Sequence, residues 1–379
     1  MKRAKEINNS SIAYANIRYL GGFICIDTHL GCKPACNYCL NRRDKKLDEI
    51  LNKNIEFNYT DIISVKEIYE ILKQSPSYKA KIPLRIGHLT DFIFEEKETF
   101  ELLNLIDKNY PVVLMTKFPI SDYTNNNINK YPNVIIHISI APKIKGAEKY
   151  YISPEKIIDS AKNINKNNLL YMIRPLSFGV FDEVISVFNY LPENSNISLK
   201  ELSTDNIDSA ADLKTMSKDD IIELKHIAEK KHIVFDMFGC LLRKNLKIPF
   251  FKFEETNKIN PNFCFKCSNF EICKNKNNFF DIEKLKELLK IMNIDFLSVE
   301  TKDDSVQIST NTLTSRADEI YFSEYFNKDI KFSSVLRLEK SSVTDMDNGV
   351  LERWKKTNFY PVDKMIDITK KIEETLKMS

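Results

Sequence analysis

From about residue 20 onward, short aliphatic and β-branched runs alternate with stretches whose apolar residues recur at helical spacing. This alternation narrows the fold more than any other feature of the chain, because repeated strand-helix units bury their apolar faces on a parallel sheet. The runs lie at 23–27 (FICID), 84–87 (LRIG), 111–116 (PVVLMT), 133–141 (NVIIHISIA), 169–174 (LLYMIR), 196–202 (NISLKEL) and 233–238 (IVFDMF). Each is short and reads as apolar on both faces, the pattern of parallel strands covered on either side. Helices are expected near 65–73, 95–108, 153–164, 180–191 and 217–230. The first of these has Ser64 and Glu67 in capping-box spacing ahead of Ile68, Ile71 and Leu72, and the third opens on Ser153 and Pro154. The expectation is an α/β chain with a partial TIM-like barrel of six or seven strand-helix units over 21–239, its catalytic groups at the C-terminal strand ends. An open doubly wound sheet is the alternative.

Beyond Cys240 the alternation stops. Residues 240–280 carry cysteines, aromatics and lysines without periodicity and read as a small cluster-binding module. Residues 281–379 read as a C-terminal α+β region, with a helix at 281–293, strands in FLSV and SVQIS, and a last helix near 362–377. Residues 1–20 form an N-terminal extension without the apolar run of a signal peptide, and nothing later approaches a membrane span. A cytoplasmic protein is expected. The 56 basic and 53 acidic side chains are spread along the chain, so bulk charge gives a nucleic-acid partner no support.

Eight cysteines in a reducing compartment read first as metal ligands rather than disulfides. Cys32, Cys36 and Cys39 have the spacing Cys-x3-Cys-x2-Cys and follow the first expected strand directly, with Tyr38 beside the last thiol. Three thiolates hold a cubane iron-sulfur cluster while leaving one iron open to an external ligand. Tyr38 supplies an aromatic flank that shields such a cluster from water. The other reading of the same residues is a zinc site of three cysteines plus His29.

The segment CKPACNYC after the first strand resembles the signature of the radical SAM superfamily. That resemblance implies a [4Fe-4S] cluster on Cys32, Cys36 and Cys39, whose open iron is chelated by the amino and carboxylate groups of S-adenosylmethionine (SAM). It implies reductive cleavage of SAM to a 5'-deoxyadenosyl radical that abstracts a substrate hydrogen, and a low-potential electron donor such as flavodoxin or ferredoxin. The runs GHLTD and HISIAP, and the TK after the third strand, are similar to the branch containing spore photoproduct lyase. The Gly-Gly-Glu run of many members is missing from the second strand, where residues 87–91 take its place. By the resemblance, Gly87 and His88 meet the methionyl amino group and Thr90 and Asp91 border the pocket. Ser139 is a candidate for the ribose hydroxyls, and Lys117 and Arg174 either neutralise the SAM carboxylate or bind an acidic substrate.

Cys264, Cys267 and Cys273, with Cys240 upstream, form a second constellation able to saturate another cubane. Their spacing is similar to the auxiliary-cluster modules of radical SAM enzymes, which implies a second [4Fe-4S] cluster. A structural zinc knot is the other reading, and without Cys240 the cluster would keep an open iron. Cys25, inside the first strand, reads as a core thiol. His137, His226 and His232 show no metal-ligand spacing, and Trp354 and the aromatics at 321–326 read as core or as a substrate-covering surface.

Together these readings describe a radical SAM enzyme acting on a small metabolite, nucleoside, sugar or peptide. The auxiliary cluster fits oxidation, crosslinking or dehydrogenation, with epimerisation also open. Two rivals stand beside it: a nucleic-acid repair or modifying enzyme of the same superfamily, and a non-catalytic protein stabilised by zinc.

Overall fold

The computed structural model describes residues 18–20, 23–27, 29–30, 48–49, 52–53, 57–58, 64–87, 90–143, 151–176, 180–201, 217–236, 242, 280–302, 305–312, 314, 316–326, 328–334, 374 and 377–378. All seven expected strands are present as one parallel sheet. They are β2 (Phe23–Ile26), β5 (Leu84–Ile86), β6 (Val112–Thr116), β7 (Val134–Ile140), β8 (Leu169–Leu176), β9 (Asn196–Glu201) and β10 (Val234–Asp236). Neighbours in the sheet are neighbours in sequence, β2-β5-β6-β7-β8-β9-β10, and β1 (Arg18–Leu20) adds an antiparallel edge against β2.

Strand order decides between the two expected architectures. A doubly wound sheet reverses its order at a switch point, and among the described residues the order does not reverse. With a constant direction of travel, right-handed crossovers put their helices on one face of the sheet. The result is an α/β sheet compatible with a partial barrel; among the described residues β1 and β10 are its outer strands.

The helices form where capping and apolar spacing coincide. Helix α1 (Val65–Gln74) starts in the expected capping box: Ser64 Oγ accepts from Glu67 N, while Ser64 N donates to the Glu67 carboxylate, and Val65, Ile68 and Leu72 are buried. A short helix, α2 (Pro76–Lys79), and then α3 (Glu96–Leu105) follow. The polar helix α4 (Asp122–Asn127), which the apolar pattern does not reveal, is capped by Ser121 and tied to Glu96 through the Ser121 and Thr124 hydroxyls. Helices α5 (Pro154–Ser160), α6 (Phe181–Tyr190) and α7 (Lys218–Lys230) complete the series, the last with a second capping box from Ser217 and Asp220. Lys231 then donates to the carbonyls of Phe188, Asn189 and Leu191, so the cation after α7 satisfies the open end of α6.

The sheet face that meets the helices is aliphatic and aromatic. Ile24, Ile26, Leu114, Ile136, Ile138, Ile173 and Phe235 are fully buried on it, and Phe235 packs edge-on against Phe188 of α6 with ring centres 6.1 Å apart. Outside this sheet, β3 (His29–Leu30) pairs antiparallel with β4 (Phe57–Asn58).

A second small sheet lies in the C-terminal region, where α8 (Ile282–Ile291) leads to β11 (Phe296–Lys302), β12 (Ser305–Thr310), α9 (Arg316–Phe326) and β13 (Asp329–Ser334). Strand β12 pairs antiparallel with β11 and parallel with β13. The parallel pairing needs a crossover, and α9 supplies it. Phe322 and Tyr325 are buried, with Phe322 edge-on to Phe332, so these two aromatics are core rather than a substrate cover. Among the described residues, no helix is long and apolar enough to cross a membrane. Trp354 lies outside the described residues, as does most of 362–377.

Candidate functional site

The other face of the parallel sheet corrects the expectation of strands apolar on both sides. Parallel register places Ser139 beside Met172, Met172 beside Ser198, and Ser198 beside Asp236, so one rung near the C-terminal strand ends crosses β7 to β10. His137 lies two residues before Ser139, beside Met115. Asp27 follows β2 at the same end. Side chains alternate along strands, so these residues share the face opposite Phe235 and Ile138. Asp27, His137, Ser139, Ser198 and Asp236 are all buried. A buried polar rung costs desolvation unless partners compensate. Ser198 provides one such contact by donating to Asp236 Oδ1 at 3.1 Å. The Ser139 hydroxyl, 5% exposed, has no hydrogen-bond partner among the described residues.

Sequence reasoning missed Asp27, Ser198 and Asp236. The available signal was the period-2 placement of polar letters toward the ends of FICID, NISL and IVFD, which their aliphatic neighbours mask. Further down the same face, the Arg85 guanidinium lies 3.8 Å from the centre of the Phe23 ring, a cation-π contact at the base of the sheet.

Gly87 ends β5 with φ of +77°, a backbone state that favours glycine. A Cβ there would stand 2.7 Å from Phe92 N and 2.8 Å from Met115 O, so the turn closes on space that only glycine leaves. Thr90 is buried just beyond it.

Asp91, expected to border the pocket, has a structural job in the fold. It caps the 3-10 turn Phe92–Glu95, with Oδ1 accepting from Ile93 N at 3.1 Å and Oδ2 from Lys117 N at 2.5 Å. It thereby ties the loop after β5 to the end of β6, and its oxygens are used by the fold. Burial pushes the Asp91 carboxyl up to about 6, against the opposing pull of the Lys117 N–H, the Thr116 hydroxyl and the Ile93 N–H. Because the native state holds this proton more tightly than the unfolded chain, the contribution is fully present below the ordinary value of 3.8 and is lost as pH rises through 6. The gap corresponds to about 3 kcal/mol. The stability difference between wild type and Asp91→Asn, measured by urea denaturation, is therefore expected to move against wild type between pH 4 and pH 7 by about that amount. A flat difference across this range would contradict it.

Thus Gly87, Thr90, Asp91, Lys117, Ser139 and Arg174 gather at the C-terminal ends of β5 to β8. Of the other expected site residues, Tyr38, His88, Cys32, Cys36, Cys39, Cys240, Cys264, Cys267 and Cys273 lie outside the described residues. Cys25 is fully buried in β2, a core thiol as expected. Among the described residues, no group of three or more His, Cys, Asp or Glu side chains is arranged to hold a metal ion. In comparisons with known proteins, no family model and no curated protein matches this chain.

Proposed function

We propose that the protein is a radical SAM enzyme built on a partial barrel, with a [4Fe-4S] cluster on Cys32, Cys36 and Cys39 and an auxiliary cluster on Cys240, Cys264, Cys267 and Cys273. One observation carries the reading: three cysteines at Cys-x3-Cys-x2-Cys spacing follow the first of seven parallel strands whose order never reverses. Ligands of such sheets bind at the C-terminal strand ends, and the loop bearing the three cysteines departs from that end of β2. The donor set suits the cluster, because three thiolates leave one iron for an outside chelator.

The described residues suit SAM as well. The Gly87 turn and the buried Thr90 lie at the C-terminal end of β5, the strand next to β2 in the sheet. Lys117 supplies positive charge beside the turn that Asp91 anchors. When bound and reduced, the cluster supplies the electron that cleaves SAM. The protein's own residues orient SAM and hold the substrate carbon near its 5' position. The substrate is a small metabolite, nucleoside, sugar or peptide, and the electron donor is a flavodoxin or ferredoxin.

Metal and sulfide analysis of anaerobically purified protein tests this reading against the zinc alternative. The expected result is iron and acid-labile sulfide in equal amounts, about eight of each per chain if both clusters fill. Stoichiometric zinc without iron would overturn it.

A further inference from the structure

Arg174 is half-buried near the C-terminal end of β8 and makes no hydrogen bond or ion pair among the described residues. A guanidinium withdrawn from water ordinarily meets a carboxylate or phosphate, since its planar fork matches two oxygens at once. The backbone at this point is irregular. Register passes from Ile173 beside Leu199 to Leu176 beside Glu201, so β8 takes three steps where β9 takes two. The extra residue is a β-bulge at Arg174 and Pro175, and Pro175 has no N–H to give to the ladder. Bulges re-aim the side chains they carry.

Two neighbours on β7 complete the arrangement. Ser139 pairs with Met172, two residues before Arg174, which is within reach of a long side chain. Ala141 follows Ile140, whose partner is Ile173, so a methyl group is what β7 sets beside Arg174. Among the described residues the place therefore joins a cation without an ion pair, a buried hydroxyl without a partner and a small neighbour.

We propose that Arg174 and Ser139 form an oxyanion subsite that takes a carboxylate or phosphate group of a small-molecule substrate. This assignment to the substrate rests on the radical SAM reading. Strand β8 is four strands from β2, whereas Lys117 follows β6, only two strands away. On that reading Lys117 is the cation nearer along the sheet to β2, the strand that precedes the three cysteines, which leaves Arg174 to the second ligand. Ser139 passes with it from the ribose to the substrate.

The test uses full-length protein reconstituted anaerobically with iron and sulfide, in wild type, Arg174→Met, Arg174→Lys and Ser139→Ala, each checked for folding by circular dichroism. Inorganic phosphate and acetate are titrated separately by calorimetry at matched ionic strength, and SAM affinity is measured alongside. At least one anion is expected to bind wild type, with the stronger of the two identifying the substrate group. Arg174→Met should weaken it at least about tenfold, and Arg174→Lys and Ser139→Ala about threefold each, with SAM affinity held within about twofold. Equal anion binding in wild type and Arg174→Met, or no binding of either anion, overturns the subsite. Loss of SAM affinity in Arg174→Met with unchanged anion binding overturns its assignment to the substrate. If wild type fails to cleave SAM while Arg174-dependent anion binding holds, the radical SAM reading falls and the subsite stands.

Discussion

Replacing Gly87 by alanine is expected to destabilise the protein by about 3–5 kcal/mol and to remove SAM binding at temperatures where the variant still folds. Two costs add. The backbone is held at φ of +77°, which L side chains rarely adopt, and the new methyl would press on Phe92 N and Met115 O at 2.7 and 2.8 Å. Both obstructing atoms are backbone, so no rotamer change relieves the clash. Moving Phe92 N shifts the turn that Asp91 caps, and moving Met115 O shifts β6 ahead of Lys117, so strain at one atom spreads to the ends of both β5 and β6. Urea denaturation with calorimetric SAM titration checks the result. Wild-type stability and SAM affinity in Gly87→Ala would show that the turn has slack the geometry denies.

The strand framework was legible because its signal is dense: seven apolar runs of the right length, five of them followed by helical spacing or a cap such as Ser64-x-x-Glu67. Elements with weaker local signals were not read. Helix α4 has the sequence DYTNNN, and what stabilises it is the tertiary contact of Ser121 and Thr124 with Glu96, which no local pattern encodes. The edge strand β1, the β3–β4 pair and β13 are short or polar and gain their state from the strands they join.

Gly87 was named as a site candidate by the resemblance, and Ser139 and Arg174 by the resemblance and their places near strand ends; the structure sets all three toward one end of the sheet. Asp91 was named as bordering the pocket, and the structure adds a capping role. That role depends on Lys117 N, twenty-six residues away, so only the fold reveals it. Asp27, Ser198 and Asp236 stayed hidden because a polar letter among aliphatic ones looks like a strand terminus. The rung they belong to is visible only once register aligns β7 to β10.

Substituting Cys32, Cys36 and Cys39 together by alanine carries the other large expectation. The proposed cluster has no other ligands from the chain, and an unliganded cubane is not held, so SAM cleavage should fall by at least about a thousandfold. The triple variant should keep its fold: these cysteines lie outside β2 and β5, which carry the buried core residues Ile24, Ile26, Leu84 and Ile86. If the auxiliary cluster assembles independently, the variant should still bind about four irons through Cys240, Cys264, Cys267 and Cys273.

The most direct measurement is 5'-deoxyadenosine formed from SAM after anaerobic reconstitution and dithionite reduction, in wild type and in this triple variant. Formation by wild type and none by the variant is the predicted result; a fully loaded, reducible cluster in wild type that yields no 5'-deoxyadenosine would contradict it.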